Sequence, residues 1–338
     1  MKKILIDVEL HKPSLEKLKG MPGMEVEVID FSEEERSLPP ELIRDINYLF
    51  CSFPCVNFED HKSLEFIQIA SAGYSQLFGK GLCERGIRAS NARGVFDVPI
   101  AEWSAAMLVS LVRDMRGMIR NQEHGVWDRD ARFQREIRGM VVGIWGYGSI
   151  GRETARILSA MGVTIHVLDR MIYTSADQPD IYRVENTGDP DGLIPARIFT
   201  PGREIEFLQG LDGLIMAMPL TNSTKGIVGD RELRALPGGA YLLNPARGGL
   251  IQEQALLSAL RDGHLAGAAL DTHYYYPMPA DHPLWRFPNV IMTPHISGSS
   301  LSPRFTERVW DIFARNVERL QAGSPLLNEL TISQLKGE

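Results

Sequence analysis

The sequence predicts an α/β protein made of two domains, each built on a doubly wound parallel sheet. Short apolar runs alternate with helix-compatible segments along most of the chain, which is typical of parallel strands joined by crossover helices. The chain has 338 residues, and this length suits about two domains. A glycine-rich turn near the middle of the chain, set between an apolar run and a helical segment, indicates that a second α/β unit begins there.

The composition favours a soluble globular protein and a small-molecule partner. The chain is 44% hydrophobic and 23% charged, which are ordinary values for such proteins. A net charge of -7 disfavours broad binding to nucleic acid. No apolar stretch is long enough to span a bilayer, and Asp7 and Glu9 interrupt the first apolar run, which favours a strand over a signal peptide. We therefore expect a cytoplasmic protein without a membrane partner.

The cysteines predict neither a disulfide framework nor a metal site. There are three of them, Cys51, Cys55 and Cys83, and an odd, low count argues against paired cystines. No second pair of Cys or His residues follows Cys51 and Cys55 at zinc-binding spacing. We expect reduced, partly buried thiols and no bound metal.

The first unit has five candidate strands with helical segments between them. After the fourth strand comes Ser71-Ala72-Gly73, and small residues beyond a strand's carboxyl end expose backbone amides where open α/β sheets bind ligands. These residues are candidates for binding a substrate carboxylate, although a plain turn is an alternative. The predicted strands are Lys3–Val8, Glu25–Ile29, Tyr48–Ser52, Phe66–Ala70 and Ile87–Ser90.

A crossing between domains is predicted at Asn91–Pro99. Apolar residues then recur at helical spacing from Ile100 to Arg120, and Pro99 suits the first turn of that helix. The polar stretch Asn121–Arg138 contains two aromatic residues. It is either an arm that packs on a partner subunit or a solvated loop.

The glycine-rich turn has the spacing G-x-G-x-x-G at Gly146, Gly148 and Gly151. The first glycine permits the tight turn, the second lets the backbone approach a pyrophosphate, and the third lets helix and strand pack closely. The amides of Ser149 and Ile150 would then face the phosphates from a helix N-terminus.

The next strand supplies the acid that completes this motif. Val163–Leu168 ends at Asp169, about where a carboxylate binds the adenosine ribose hydroxyls. Strand, glycines, helix, strand and acid together predict a Rossmann unit that binds NAD. Asp169 would repel the 2′-phosphate of NADP, whereas Arg170 could pair with it, and we expect Asp169 to dominate.

The rest of the second unit contains one long stretch without periodicity, Met171–Glu206. It is rich in Pro and Gly, so we predict that it contributes little to the core and is dispensable for folding. Regular elements follow it. The predicted strands are Gly213–Ala217, Ala240–Leu243, Leu265–Leu270 and Val290–Thr293, and the predicted helices are Asp230–Ala235, Gln252–Asp262 and Ser302–Ala322.

Arg247 and His295 come just after two of these strands and are the candidate catalytic pair. The carboxyl ends of strands in an open α/β sheet meet at one crevice, so the two side chains are expected to be neighbours. Arg offers a two-pronged donor to a carboxylate, and His transfers protons near neutral pH. Beside a nicotinamide, this pair suits hydride transfer between an alcohol and a ketone.

From about Phe66 to Gly298, these motifs resemble those of the D-isomer-specific 2-hydroxyacid dehydrogenases, a family that includes formate and phosphite dehydrogenases. The resemblance implies a Rossmann domain at 98–298, inserted into a flavodoxin-like substrate domain at 1–97 plus 299–338, and a homodimer. The motifs that carry it are Ser71-Ala72-Gly73, Asn91-Ala92-Arg93-Gly94 with Ala101-Glu102, Gly146–Gly151, Asp169, Met218-Pro219-Leu220-Thr221, Asn244-Pro245-Ala246-Arg247-Gly248 and Thr293-Pro294-His295.

The resemblance also assigns roles to individual residues. Arg247 is expected to bind the substrate's carboxylate and carbonyl, and His295 to act as general acid and base. Ala72 and Gly73 are expected to offer amides to the carboxylate, and Asp271 to hold the nicotinamide carboxamide. Further cofactor contacts are expected from Met218, Pro219, Thr224, Asn244, Ala246 and Gly298.

One departure from the family pattern concerns the catalytic His. Tyr276 occupies the position where the family usually has a Glu that orients the His and favours its protonated form. Asp281 and Glu102 are the nearest acids in sequence that could replace this charge. The expected function is an NAD-dependent oxidoreductase that interconverts a 2-keto acid and a D-2-hydroxy acid and acts as a 2-keto acid reductase. The alternatives are oxidation of a small anion such as formate or phosphite, or a dinucleotide-sensing protein with weak catalysis.

Overall fold

The structure is a computed structural model that describes residues 1–32, 34–130, 134–171, 177, 180–299 and 302–336. The described residues form twelve strands in two sheets, and neighbouring strands in both sheets run parallel. The strands are β1 (Lys2–Asp7), β2 (Met24–Val28), β3 (Tyr48–Cys51), β4 (Phe66–Ile69), β5 (Arg88–Ser90), β6 (Val141–Trp145), β7 (Thr164–Leu168), β8 (Arg197–Phe199), β9 (Gly213–Met216), β10 (Ala240–Asn244), β11 (Leu265–Leu270) and β12 (Val290–Met292).

Helices connect these strands. Within the described ranges, no helix combines the length and the apolar character needed to cross a bilayer. The helices are α1 (Lys12–Lys19), α2 (Pro40–Ile43), α3 (Asp97–Val112), α4 (Met115–Glu123), α5 (Ser149–Ala160), α6 (Glu204–Leu208), α7 (Asp230–Ala235), α8 (Glu253–Arg261), α9 (Pro303–Ala322) and α10 (Ile332–Lys336).

The first sheet has the order β2-β1-β3-β4-β5, which is that of the flavodoxin-like doubly wound fold. The side chains of successive residues in β1 pack in different cores, because side chains alternate between the two faces of a strand. Ile4 and Ile6 pack in a core with Trp310 and Phe313 of α9, whereas Leu5 packs in the core on the other face. Both faces of this sheet are therefore covered.

The second sheet has the order β12-β11-β10-β9-β6-β7-β8. Counted from β6, this is the doubly wound order 3-2-1-4-5-6 with one further strand, and its direction of winding changes between β6 and β9. Ligands of open α/β sheets bind at such a switch point, beyond the carboxyl ends of the strands. The predicted fold class, two doubly wound parallel sheets, is confirmed.

The chain divides into two compact units, which differ from the predicted domains by one residue at Asp97, by one residue at Ser299 and by one longer segment. The first contains Met1–Phe96, Gln178–Val184 and Ser300–Glu338, and the second contains Asp97–Asp177 and Glu185–Ser299. The prediction had placed the segment Gln178–Val184 within 98–298. It belongs to the first unit because Tyr182 is buried there and its amide donates to the Asn328 side chain over 3.0 Å.

The helix predicted from Ile100 to Arg120 is two helices, α3 and α4. Asp114 between them has a φ of 47°, a left-handed conformation that Asp tolerates better than most residues. Its side chain accepts a hydrogen bond from the amide of Gly117 over 3.2 Å. The apolar spacing continues through this break, so periodicity alone did not reveal it.

The prediction that Met171–Glu206 contributes little to the core is wrong for its described part. β8 extends the second sheet beside β7, and Phe199 is fully buried against Phe207. Asp189 is buried, and its carboxylate accepts hydrogen bonds from the Tyr147 hydroxyl and from the amides of Leu193 and Ile194. Gly and Pro form turns here that the sequence pattern did not distinguish from a loose loop. The stretches 172–176 and 178–179 lie outside the described residues.

Replacing Phe199 with Ala is therefore expected to lower the free energy of unfolding by about 3–5 kcal/mol, the usual cost of removing a buried aromatic ring. Ile198→Ala on the same strand is the control, because Ile198 is 45% exposed and should cost much less. Urea unfolding of both variants measures the difference. Equal, small losses would mean that β8 does not support the core.

Candidate active site

The glycine-rich turn follows β6 at the switch point of the second sheet. Gly146 has a φ of 101°, and a Cβ there would lie 2.7–2.8 Å from the backbone of Ala217 and Met218. A Cβ on Gly151 would overlap the carbonyl oxygen of Gly146. A Cβ on Gly148, by contrast, would meet nothing within 4 Å among the described atoms. Two of the glycines are thus needed for packing, and the third leaves open space above the turn.

This turn fits the pyrophosphate of a dinucleotide. α5 begins at Ser149, and its N-cap is Gly148, which has no side chain to occupy the first-turn amides. The first turn contains Ser149, Ile150, Gly151 and Arg152, so no acidic residue opposes an anion. Free amides and the positive end of the helix dipole bind phosphate groups.

Asp169 is held against the same turn. It follows β7, and its carboxylate accepts a hydrogen bond from the amide of Tyr147 and a long one, 3.4 Å, from the amide of Met171. Arg170 is exposed. The structure thus places Asp169 beside the glycine-rich turn, where the sequence predicted a partner for the ribose.

The loop after β9 contains three of the predicted cofactor residues. Met218 is buried. The hydroxyl of Thr224 donates to the carbonyl oxygen of Pro219 over 2.8 Å and accepts from the amide of Thr221 over 2.7 Å. Thr224 therefore shapes this loop.

Arg247 lies in the loop after β10. The side chain of Asn244 fixes this loop, because it accepts from the amide of Ala246 and donates to the carbonyl oxygen of Arg247. A Cβ on Gly248 would lie 2.5 Å from the carbonyl oxygen of His273, so only glycine allows these two loops to approach so closely. Arg247 itself is exposed, and its guanidinium donates to the carbonyl oxygen of Ala246 over 2.7 Å.

Asp271, at the end of β11, holds the turn that carries His295. Its buried carboxylate accepts hydrogen bonds from the Thr293 hydroxyl at 2.6 Å and from the amides of Ile296 and Ser297 at 2.9 and 3.0 Å. His295 has a φ of 58°, a strained conformation for this residue. These hydrogen bonds on both sides of His295 stabilise that conformation. A contact between Asp271 and the nicotinamide carboxamide stays a prediction. Gly298, a predicted cofactor residue, follows directly after the turn that carries His295.

Tyr276 reaches His295. Its hydroxyl oxygen lies 3.1 Å from Nδ1 of His295, and it accepts a hydrogen bond from the amide of His273 over 3.3 Å. Tyr276 is 61% exposed. The structure therefore brings together Arg247, Tyr276 and His295 at the carboxyl ends of neighbouring strands of one sheet.

The surroundings of His295 lower its pKa. Burial of the imidazole is the main cause, and the positive charge of Arg247 adds to it. Asp271 opposes the shift, and His273 adds a small lowering effect. Neither Asp281 nor Glu102 is among the described residues that shift the pKa of His295. The neutral imidazole is accordingly favoured relative to a free His.

The loop Ser71-Ala72-Gly73 lies in the first unit. Its carbonyl oxygens accept hydrogen bonds from the amide of Ala92, the side chain of Asn91 and the hydroxyl of Ser71. Within the described part of the chain, the amides of Ala72 and Gly73 donate to no partner. The loop therefore offers two amide donors, and the binding of a carboxylate by them stays a prediction.

Comparison with known proteins identifies the family. The sequence profile described as the NAD-binding domain of D-isomer specific 2-hydroxyacid dehydrogenases matches residues 105–192 and 199–297, more than half of the chain. The chain belongs to this family. It is an NAD-dependent oxidoreductase that interconverts a 2-keto acid and a D-2-hydroxy acid.

Several members of the family resemble the chain over most of its length. The glyoxylate reductase of Thermofilum pendens is 29% identical over 329 residues, which cover 93% of this chain and 90% of that protein. A family member from Aeromonas salmonicida of known structure is 25% identical, with a TM-score of 0.79 over 98% of this chain and 99% of that one. The D-3-phosphoglycerate dehydrogenase of Bacillus subtilis is 33% identical over 72% of this chain, but this match spans only 43% of that longer protein.

Sequence reasoning missed how the turn that carries His295 is held. Thr293 accepts a hydrogen bond from the indole of Trp103 over 3.1 Å and donates to Asp271. His273 contacts the Thr293 carbonyl oxygen through Nε2 at 2.8 Å. Trp103 lies in the apolar stripe of α3 and was interpreted as a core residue. The indole N–H of Trp103 was the one signal in the sequence for its hydrogen bond to Thr293.

Proposed function

We propose that Arg247 anchors the substrate and that His295 transfers the proton, to the carbonyl oxygen in keto acid reduction and from the hydroxyl group in the reverse direction. The observation that carries this proposal is the contact between Tyr276 and Nδ1 of His295, close to the charge of Arg247. Nδ1 is thereby engaged, which leaves Nε2 to exchange a proton with the substrate.

The guanidinium of Arg247 supplies two parallel donors that match a carboxylate. In this proposal it binds the carboxylate and polarises the neighbouring carbonyl. The imidazolium of His295 then donates the Nε2 proton to the carbonyl oxygen as the alcohol forms. Bound NADH supplies a hydride to the carbonyl carbon. In the reverse direction, neutral His295 removes the hydroxyl proton.

Tyr276 can serve both protonation states of His295. When the imidazole is neutral, the phenol donates its proton to Nδ1; when it is protonated, Nδ1–H donates to the phenol oxygen, which has two acceptor positions. A carboxylate, in contrast, can only accept and would stabilise the positive charge. Tyr276 thus orients the ring while leaving its pKa to burial and Arg247.

The proposed cofactor contacts are made by the loops at the switch point. Gly146, Gly148 and Gly151, with the amides of Ser149 and Ile150, would hold the pyrophosphate. Contacts from Asn244, Ala246, Met218, Pro219 and Gly298 are part of the same proposal, and they are supported by the positions of these residues at strand ends.

NADH should be preferred to NADPH by at least about tenfold in kcat/KM, because Asp169 would repel a 2′-phosphate. Initial rates at fixed substrate concentration with either cofactor measure the ratio. Equal efficiencies with the two cofactors would mean that Arg170 outweighs Asp169.

We also propose a cytoplasmic homodimer. The three cysteines are free thiols, which is usual for reducing compartments. α4 exposes Met115, Met118 and Ile119, and Trp127 beyond it is 89% exposed. Apolar surface of this kind supports a contact with a second copy, and sedimentation measurements would test it.

The reaction is tested by following NADH oxidation with a panel of 2-keto acids and NAD⁺ reduction with D- and L-2-hydroxy acids. We expect turnover of keto acids and of D-hydroxy acids. NADH binding without turnover of any keto acid would favour a dinucleotide sensor. Turnover of formate or phosphite with no keto acid activity would favour the small-anion dehydrogenases.

A further inference from the structure

Tyr147 lies between the first two glycines of the glycine-rich turn, and it is buried in the core of the second unit. Its amide donates to the Asp169 carboxylate, and its carbonyl oxygen accepts from Nε of Arg152 over 3.2 Å. Its hydroxyl donates to the buried carboxylate of Asp189 over 2.7 Å. Burial and this hydrogen bond raise the pKa of Tyr147, so the phenol keeps its proton and remains the donor. The backbone and the side chain of this turn residue are therefore both held.

Asp189 lies in the described part of the connection between β7 and β8, 42 residues after Tyr147. Its carboxylate also accepts hydrogen bonds from the amides of Leu193 and Ile194 over 3.0 and 3.1 Å. These two bonds close a turn that fixes the carboxylate. A buried carboxylate needs such donors, because burial without them carries a large free-energy cost. Asp189 is thus a fixed acceptor for the Tyr147 hydroxyl.

Two further contacts join the same connection to α5. The guanidinium of Arg152 donates to the carbonyl oxygen of Asp189 and lies over the ring of Tyr147, 4.9 Å from its centroid. The buried carboxylate of Glu153 accepts a hydrogen bond from the amide of Gly188 over 2.6 Å. All of these residues belong to the second unit. The connection therefore supports the end of α5 that begins at the glycine-rich turn.

The glycine-rich turn has a second support in the loop after β9. A Cβ on Gly146 would lie 2.7–2.8 Å from the backbone of that loop, so the two pack tightly. A Cβ on Gly148, in contrast, would meet nothing within 4 Å among the described atoms, and this is the open side on which a pyrophosphate would bind. Because Tyr147 lies between these two glycines, a shift of its side chain would move the phosphate-binding amides that follow.

We propose that Asp189 is a positioning residue for the cofactor, and that it acts through the Tyr147 hydroxyl to hold the glycine-rich turn in the conformation that binds the pyrophosphate of NADH. The inference rests on the proposed function, in which this turn binds the pyrophosphate. The connection between β7 and β8 then contributes to cofactor affinity as well as to the core. Arg247 and His295 lie in loops after other strands, so the chemical step itself should not depend on Asp189.

Tyr147→Phe tests this proposal, because it removes one hydroxyl and leaves the ring in place. The Kd of NADH, measured by fluorescence titration, should rise about tenfold, the effect of losing a hydrogen bond to a charged group. At saturating NADH, kcat should stay within about twofold of the wild type, because a loss of uniform binding raises KM alone. An unchanged Kd, or a large fall in kcat at saturating NADH, would overturn the proposal.

Tyr241→Phe is the matched control. Tyr241 is a buried tyrosine of the same core, but it lies near the amino end of β10, away from the carboxyl ends where the cofactor loops begin. The variant should bind NADH like the wild type. Urea unfolding of both variants compares their stabilities. An equal rise in Kd in Tyr241→Phe would assign the effect to a general loss of core packing and would overturn the proposal.

A double-mutant cycle shows whether Asp189 acts through Tyr147. Asp189→Ala removes the acceptor and should also raise the Kd of NADH. In the Asp189→Ala background, Tyr147→Phe should have no further effect on Kd, because two residues that act through one shared hydrogen bond have non-additive effects. Additive effects of the two substitutions on Kd would contradict the proposed role of Asp189.

Gly148→Val separates this inference from the proposed function. The space around Gly148 should accept the side chain in the absence of cofactor, whereas the side chain would occupy the pyrophosphate position and should abolish measurable NADH binding. If Gly148→Val binds NADH normally, the proposed cofactor contacts fail and the inference fails with them. If Gly148→Val loses NADH binding while Tyr147→Phe retains wild-type affinity, only the role of Asp189 is refuted.

Discussion

His295→Asn should lower kcat/KM for keto acid reduction by about 10³–10⁴-fold, at the upper end of what a positioned general acid contributes. Asn suits this test because His295 has a φ of 58° and Asn adopts left-handed backbone more readily than most residues. The turn should thus keep its shape while the proton donor is lost. The loss should appear mainly in kcat.

The affinity for NADH supplies the control for His295→Asn. The glycine-rich turn and Asp169 lie on other strand ends, so NADH should bind with nearly wild-type affinity, as fluorescence titration would show. A variant that retains most of its activity would remove His295 from the chemistry. A variant that loses both activity and NADH binding would indicate a distorted site.

Arg247→Lys should lower kcat/KM by about 10²–10³-fold, the effect of removing an oriented donor from a reacting oxygen. Lys keeps the positive charge but cannot make two parallel hydrogen bonds to a carboxylate. The Asn244 side chain bonds to the backbone of this loop, so the loop itself should persist. Steady-state kinetics should show a higher KM together with a lower kcat, and NADH affinity near wild type.

A second outcome accompanies Arg247→Lys. The charge of Arg247 contributes to the lowered pKa of His295, and Lys preserves that charge. The pH profile should therefore keep its position while the rate falls. Nearly wild-type efficiency would mean that Arg247 does not anchor the substrate.

The elements that the sequence predicted correctly are those with strong local signals. The apolar residues of β6 and β7 are mostly buried. Gly146 and Gly151 make close backbone contacts that only glycine permits. The parallel direction of the strands was predicted from the alternation of strands with helix-compatible segments. Arg247 and His295 were chosen as candidates because both follow predicted strands of one sheet, and their catalytic roles stay predictions.

The features that were missed depend on contacts between distant residues. Asp189 is buried because the Tyr147 hydroxyl and two nearby amides bind it, and nothing in the local sequence of Met171–Glu206 shows this. The break at Asp114 occurs within a continuous apolar stripe. The Asp271 carboxylate accepts hydrogen bonds from the amides of Ile296 and Ser297, more than twenty residues later in the chain. Because the local sequence does not show these contacts, Asp271 was interpreted as a cofactor residue alone.

The measurement that tests the central claim most directly is the pH dependence of kcat/KM for keto acid reduction in the wild type, Tyr276→Phe and Tyr276→Glu. Reduction requires protonated His295, and burial with Arg247 lowers its pKa. The wild-type rate should therefore decline as pH rises through a pKa below the ordinary imidazole value of about 6.5. Tyr276→Phe, which is also neutral, should keep this position at a reduced rate.

Tyr276→Glu places a carboxylate beside Nδ1, which favours the imidazolium and raises its pKa. The decline should then move to higher pH by about one unit or more, and the rise of the oxidation rate should move with it. Overlapping pH profiles of the wild type and Tyr276→Glu would contradict the account, because they would show that a carboxylate at position 276 does not shift the pKa of His295.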